Sequence, residues 1–115
     1  PVLNKQAALE LCDDDEELFL EIVAAYLEDA HEHSRQLLFA LEAGDAHEVE
    51  ERAHALKGAS SNICAGPVRE AALHLERAGR NKDLSQAPQL YKVFKGEFQR
   101  LLEYLKSLPL PPEGG

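Results

Sequence analysis

Apolar residues recur at steps of three and four along most of this chain, and no stretch alternates apolar and polar positions as a half-buried strand does. Four of the six prolines lie at the extremities (Pro1, Pro109, Pro111 and Pro112), which leaves a long central region free to be helical. This pattern predicts an all-α protein.

The first half of the chain contains two predicted helices and the start of a third. A short first helix spans Asn4 to Leu11, with Asn4 as its N-cap. The second helix begins at the acidic cluster of residues 13–17, because carboxylates suit the positive end of a helix dipole, and it runs to about Ala43. Gly44 ends this helix, and Asp45 is well placed to cap the next one.

The second half continues with helices separated by short breaks. The third helix is predicted from about Ala46 to Cys64. Gly66 and Pro67 break the chain, and Pro67 suits the first turn of a fourth helix. Residues 79–85 (GRNKDLS) are predicted to form a polar loop before a final helix from about Ala87 to Leu108.

The apolar stripes predict the core. They comprise Phe19, Val23, Tyr26, Leu27, Ala30, Leu37 and Leu41 in the second helix, Val49, Ala53, Leu56, Ser60 and Ile63 in the third, Val68, Ala71, Ala72, Leu75 and Ala78 in the fourth, and Leu90, Phe94, Phe98, Leu101, Leu105 and Leu108 in the last. Four such helices pack most simply as an up-down-up-down four-helix bundle, with the short first helix covering one end. We expect one domain over residues 1–108 and a Pro/Gly-rich tail over residues 109–115.

Charge and composition narrow the function. With 21 acidic and 12 basic residues the net charge is -9, which disfavours nucleic acid and anionic membranes as partners. The sequence has no long apolar run and no signal-peptide pattern at its start, so a cytoplasmic location is expected. Cys12 and Cys64 lie far apart without a CxxC motif, which makes metal or redox chemistry a weak hypothesis, and Cys64 is predicted to be buried.

One histidine stands out on the third helix. On a helical wheel with Val49 at zero, the core residues of this helix cluster near about 340°, whereas His54 falls near about 140° and is predicted to face solvent. The same outward stripe holds three small residues, Gly58, Ser61 and Ala65, and Lys57 lies about 60° from His54. An imidazole is therefore expected over a surface of small residues, with a cation beside it.

These residues suit a histidine that carries a phosphoryl group. An exposed neutral imidazole is a competent nucleophile near neutral pH. Lys57 would offset the charge of phosphoryl oxygens, and Ser61 would donate a hydrogen bond to the phosphoryl group or to a partner. Gly58 costs about 1 kcal/mol relative to alanine inside a helix, which favours close approach of another molecule as its explanation. A surface histidine beside a lysine also occurs by chance, so spacing alone leaves the function open.

The run from His54 to Ala65 (HALKGASSNICA) resembles the signature of histidine-containing phosphotransfer domains, the HPt modules of two-component phosphorelays. The Gly44-Asp45 turn, the Leu75-Glu76 pair and the long last helix also match, so the resemblance covers most of the chain. One departure is Cys64, where the family usually has glycine. We expect this change to affect local packing more than transfer.

The resemblance implies a role for each residue of the motif. His54 would be the phosphoacceptor, Lys57 the cation facing the phosphate, and Gly58 the clearance for a partner, with Ser61 and Ala65 beside it. The partner would be a response-regulator receiver domain or a hybrid sensor histidine kinase, and the receiver would bring the divalent metal, so this chain needs no cofactor or metal of its own. It would act as a monomeric carrier without ATP-dependent kinase activity, since no nucleotide-binding motif is present in the sequence.

Two other kinds of protein are alternatives to a phosphoryl carrier. Glu28-x-x-His31 and Glu51-x-x-His54 match the Glu-x-x-His element of di-metal carboxylate bundles, but on the helical wheel both glutamates face water, whereas such ligands must point inward. The other alternative is an adaptor that binds a partner without chemistry. The remaining histidines (His31, His33, His47 and His74) lack the adjacent Lys-Gly arrangement and are predicted to be surface residues.

Overall fold

A computed structural model describes residues 1–112, which contain five α-helices and no strand. The helices are α1 (Lys5–Leu11), α2 (Glu16–Ala43), α3 (Ala46–Asn62), α4 (Gly66–Arg80) and α5 (Ala87–Lys106). The all-α prediction is confirmed.

Short polar side chains fix the starts of the first three helices, as the sequence predicted for Asn4 and Asp45. Asn4, Asp15 and Asp45 each adopt an extended backbone, and each accepts a hydrogen bond from the backbone N–H three residues later, at 3.0 to 3.1 Å. Gly44 ends α2 in the left-handed region, with φ of 69°. Pro67 lies in the first turn of α4, where its missing N–H costs no helical hydrogen bond.

The four longer helices pack in chain order, α2 on α3, α3 on α4 and α4 on α5, and α5 returns to contact α2. Side-chain pairs give the direction of two of these packings. Helices α2 and α3 run antiparallel, because Tyr26 contacts Ser60 whereas the later His33 contacts the earlier Arg52. Helices α3 and α4 also run antiparallel, because Glu50 contacts Arg80 whereas the later His54 contacts the earlier Glu76. The direction of α5 in an up-down-up-down order stays a prediction.

The short α1 lies at one end of the four longer helices. It packs on α2, and the backbone N–H of Asn4 donates to the carbonyl of Cys64 at 3.0 Å in the turn between α3 and α4. Leu3, Ala8 and Cys12 are buried there. The first segment therefore covers the end of the bundle, as predicted.

The core follows the predicted stripes closely. The predicted core residues of α3 are buried, among them Ser60, whose hydroxyl is 2.9 Å from that of Tyr26. Burial raises the pKa of Tyr26 to about 12, and the hydrogen bond to Ser60 partly offsets this rise. The predicted positions that are only half-buried are Leu27, Leu41, Ala78, Leu90 and Leu108.

The ends of both α3 and α4 differ from the prediction. Helix α3 ends at Asn62 instead of Cys64, because Cys64 takes a left-handed backbone with φ of 56°. This conformation favours glycine, which is the residue that the resemblance led us to expect at this position. Cys64 was predicted to be buried, and it is half-buried, packed against the edge of the core.

The second difference is at Gly79, which was assigned to the loop but lies buried in α4, one residue before its end at Arg80. A Cβ at Gly79 would lie 2.6 Å from the backbone nitrogen of Glu50 and 2.7 Å from the carbonyl oxygen of Ala46. Glycine is therefore required here for the backbones of α3 and α4 to approach closely.

The assignment of residues 109–115 to a tail stays a prediction. Leu110 packs partly against the core, and residues 113–115 lie outside the described residues. In the part of the chain that the structure describes, each helix is too short or too polar to cross a membrane.

Candidate functional site around His54

His54 projects outward from the middle of α3, as its wheel position predicted. Its side chain is 68% exposed, whereas Ala53 and Leu56 of the same helix are fully buried. The orientation follows from helix geometry, since the apolar side of α3 faces the core and His54 lies nearly opposite.

A buried carboxylate on α4 holds the imidazole. Glu76 is only 1% exposed, and its Oε2 lies 2.7 Å from His54 Nδ1. Glu76 also pairs with two cations, Lys57 (Nζ to Oε1, 2.6 Å) and Arg80 (Nη2 to Oε2, 3.1 Å). Three charged or titratable side chains from two helices therefore meet at the Glu76 carboxylate.

Burial raises the pKa of Glu76, but the hydrogen bonds and charges of Lys57 and His54 outweigh it and hold the pKa below its ordinary value. Glu76 is therefore ionised near neutral pH and can only accept hydrogen bonds. His54 must then carry a hydrogen on Nδ1 to make the 2.7 Å contact. In the neutral ring this leaves the lone pair on Nε2, at the exposed end of the side chain.

Lys57 is close to His54, as predicted, but its ammonium is already engaged. Its side chain is 23% exposed and reaches Glu76. Lys57 therefore compensates the buried carboxylate in this structure, and its predicted contact with a phosphoryl group stays a prediction.

Gly58 and Ser61 lie on the exposed side of α3 near His54. Gly58 is exposed, and within the described residues an added Cβ there would meet no atom closer than 4 Å. The fold therefore does not require glycine at this position. The Ser61 hydroxyl donates to the Lys57 carbonyl at 2.9 Å and accepts from Arg69 Nε at 3.1 Å. Its predicted hydrogen bond to a phosphoryl group or partner stays a prediction.

Ala65 does not join this surface. The prediction placed it on the outward stripe by continuing α3 past Asn62, but the left-handed turn at Cys64 redirects the chain and buries Ala65 completely. Ala65 is the N-cap residue of α4 and a core residue, so its assignment to partner binding was wrong.

The two Glu-x-x-His elements lie on the outside of the molecule. Glu28, His31, Glu51 and His54 are all exposed, as the wheel predicted for the two glutamates. A di-metal carboxylate site needs its ligands to point into a shared interior, and these side chains do not.

Sequence reasoning gave no role to Glu76 and Arg80. A signal for Glu76 was present, because it lies four residues after Ala72 and eight after Val68, on the buried stripe of α4. A carboxylate on an apolar stripe needs compensating partners and is a candidate functional group. Arg80 could not be found this way, because the sequence placed it in a loop.

The chain is similar to known proteins in sequence and in fold. The family model described as "Hpt domain" matches residues 21–107. Histidine-containing phosphotransfer protein B (HptB) from Pseudomonas aeruginosa PAO1 is 30% identical, with a TM-score of 0.85 over 93% of each chain. The HPT domain of an Hpt sensor hybrid histidine kinase from Shewanella is 19% identical, with a TM-score of 0.73 over 94% of this chain and 97% of that one, which is a similarity of fold. A search of curated protein sequences gives no match.

Proposed function

Since the chain belongs to the Hpt domain family, we propose that it is a phosphorelay intermediate that carries a phosphoryl group on His54 and exchanges it with the aspartate of a response-regulator receiver domain. The observation that carries this proposal is the outward imidazole of His54, with Nδ1 bound to buried Glu76 and Nε2 directed away from that contact.

Transfer to this chain is a single displacement at phosphorus. The Nε2 lone pair of His54 forms the N–P bond, the bond between phosphorus and the aspartyl oxygen breaks, and the carboxylate leaves with the electron pair. The reverse reaction returns the group to an aspartate. Because the transition state is loose, the protein contributes mainly position and charge compensation.

Glu76 supplies both contributions. By accepting from Nδ1, it fixes the ring and keeps the hydrogen on the nitrogen that does not react. When Nε2 binds phosphorus while Nδ1 keeps its hydrogen, the ring becomes positively charged, and the adjacent carboxylate stabilises that charge. Lys57, one turn from His54, would compensate the charge of the phosphoryl oxygens.

The exposed glycine next to the nucleophile gives a partner room to approach. Because Gly58 and Ser61 are small, we expect apolar contact with a partner helix beside His54. In this proposal the receiver brings the divalent metal and its own lysine, and this chain provides the nucleophile, the compensating charges and the docking surface. The chain acts as a monomeric carrier in the cytoplasm, without ATP-dependent kinase activity of its own.

The test is transfer from a receiver domain that has been phosphorylated chemically on its aspartate. We expect a label on this chain that is labile in acid and stable in base, and its loss in His54→Gln. His74→Gln is the matched control, because His74 is a half-exposed histidine on α4 that pairs with Glu70 and does not contact Glu76.

Several receivers should be tried, since the partner is a class of domain. If none labels the wild-type chain, or if His54→Gln keeps the label while His74→Gln loses it, the proposal is wrong. If the chain binds a receiver but takes no label, the result would favour the alternative that it is an adaptor that binds a partner without chemistry.

A further inference from the structure

The end of α2 is apolar on every side. Residues 37–41 read LLFAL, and at about 100° per residue these five side chains spread around the whole helix. A helical segment that is apolar all round is normally buried. Three of the five side chains pack in or against the core, but Leu38 is 40% exposed and Phe39 is 60% exposed. The bundle therefore leaves apolar surface uncovered at this end of α2.

A groove lies beside Leu38. Its walls come from the end of α2, the loop between α4 and α5, and the first turns of α5, and its volume is about 350 Å³. We call it the α2–α5 groove. Its lining is mainly apolar, with one phenol and one carboxylate, and comprises Leu38, Leu41, Glu42, Leu84, Ala87, Pro88 and Tyr91.

The carboxylate in this lining has no cation of its own. Glu42 is exposed, and within residues 1–112 it makes no ion pair. Arg35, the one arginine of α2, is paired with Glu32 and lies 5.9 Å from the centre of the Phe39 ring. Burial and the negative charge of Glu42 raise the pKa of the Tyr91 phenol, so this charge acts across the groove. The groove therefore offers an unpaired negative charge beside apolar surface.

The walls of the groove suit a helix as its occupant. They are formed mainly by two helices, and a third helix can lay the side chains at its i, i+3, i+4 and i+7 positions between them. A basic residue next to such an apolar stripe would pair with Glu42. An extended peptide would instead need a sheet edge to which it could add, and residues 1–112 contain no strand.

We propose that the α2–α5 groove binds an amphipathic helix of a partner protein, whose apolar side packs on Leu38 and Tyr91 and whose lysine or arginine pairs with Glu42. The groove is built by α2, α5 and the loop before α5, whereas His54 and Glu76 belong to α3 and α4. An occupant of the groove therefore leaves His54 exposed.

The experiment selects binders to the full chain from a displayed library of helical peptides with randomised side chains. We expect enriched peptides to carry an apolar stripe at i, i+3, i+4 and i+7 with a lysine or arginine beside it. Changes in amide chemical shift on binding should map to the α2–α5 groove.

Variants of the chain then test the two kinds of contact with an enriched peptide. Leu38→Ala should weaken binding about tenfold. Glu42→Lys should weaken it about fivefold or more at low salt, and a peptide whose basic residue is changed to glutamate should recover most of this loss. About 500 mM salt should remove most of the effect of Glu42→Lys but little of the effect of Leu38→Ala.

The first half of α2 provides matched controls. Leu18 is 40% exposed, like Leu38, and Glu28 is an exposed glutamate like Glu42. Leu18→Ala and Glu28→Lys should leave peptide affinity within about twofold of wild type. Circular dichroism shows whether each variant is folded.

Four outcomes would overturn the proposal: no enriched peptide, enriched peptides without a basic residue, shifts that map to another surface, or equal effects of the groove variants and their controls. If the groove is covered by a second copy of the chain instead, the library gives no binders and Leu38→Ala lowers self-association in analytical ultracentrifugation. Peptide binding needs no phosphorylation, so this test does not depend on the proposed function.

Discussion

At the scale of single residues, the reactivity of His54 depends on a residue from another helix. A histidine alone on a helix leaves the choice between its two ring nitrogens open. The contact with Glu76 removes that choice, since an ionised carboxylate accepts only from a protonated nitrogen. Lys57 and Arg80 offset the energetic cost of burying the Glu76 carboxylate, which is only 1% exposed.

Glu76→Gln tests this role through both transfer and stability. The amide keeps a hydrogen-bonding group but loses the charge, so we expect transfer to slow about tenfold or more, with little change in KM for the receiver. The free energy of unfolding at pH 7 should fall by about 1–2 kcal/mol, because two of the three partners of Glu76 are largely exposed.

The pH dependence of that loss has a definite sign. The folded pKa of Glu76 lies below its ordinary value of 4.5, so its contribution is present above about pH 4.5 and disappears as the pH falls through the folded pKa. Urea unfolding of wild type and Glu76→Gln should therefore converge in acid. Glu70→Gln, at an exposed position of the same helix, is the control. A difference between wild type and Glu76→Gln that is the same at pH 3 and pH 7 would contradict the assignment.

Gly58→Ala separates folding from docking. Apart from the backbone of its own helix, nothing in the described chain lies within 4 Å of the added Cβ, and alanine is the better helix former. The free energy of unfolding should therefore rise by about 0.5–1 kcal/mol. Under the proposed function, transfer should nevertheless become slower, because the methyl group would occupy space that the partner needs. Urea denaturation and the labelling assay measure the two effects, and an unchanged transfer rate would show that Gly58 does not face the partner.

At the scale of helices, the site exists because α3 and α4 lie unusually close together. Gly79 is one turn beyond Glu76, and its missing side chain lets the backbone of α4 contact Glu50 and Ala46 on α3. The same approach brings Glu76 within reach of both His54 and Lys57. The close packing of α3 and α4 at Gly79 therefore also sets the contacts of Glu76 with His54 and Lys57.

Gly79→Ala should be strongly destabilising, since its Cβ would lie closer than 3.0 Å to backbone atoms that cannot rotate away. We expect a loss of about 2–3 kcal/mol in urea unfolding, and slower transfer because the contact between Glu76 and His54 is displaced. Gly96→Ala in α5, where the described chain leaves the added Cβ free, should be neutral or slightly stabilising. Equal effects of the two substitutions would contradict the close approach.

At the scale of the whole molecule, the first helix lies outside the family match, which begins at residue 21, yet it covers the end of the bundle beside Cys64. Deleting residues 1–12 removes three buried side chains, Leu3, Ala8 and Cys12, and exposes the surfaces that they cover. At about 25 cal/mol per Å² of newly exposed apolar surface, we expect the deletion to lower the free energy of unfolding by roughly 3 kcal/mol.

The deletion should leave the residues around Glu76 in place, because His54, Lys57 and Arg80 lie on α3 and α4. Thermal unfolding should therefore show a lower midpoint, while His54 is still labelled below that midpoint. A truncated chain that is folded but unlabelled would mean that α1 belongs to the docking surface.

The sequence by itself determined the features that depend on local rules. Helix periodicity, the caps at Asn4 and Asp45 and the outward position of His54 follow from interactions within a few residues, and each was predicted correctly. The motif around His54 also indicated the family.

Only the tertiary structure decided which groups meet across helices. The contact of Glu76 with His54, the close approach at Gly79 and the burial of Ala65 depend on how α4 is placed against α3. That placement depends in turn on the left-handed turn at Cys64, which a helical wheel continued past Asn62 cannot foresee. Wheel geometry describes one helix, whereas a buried charge acquires its partners from another.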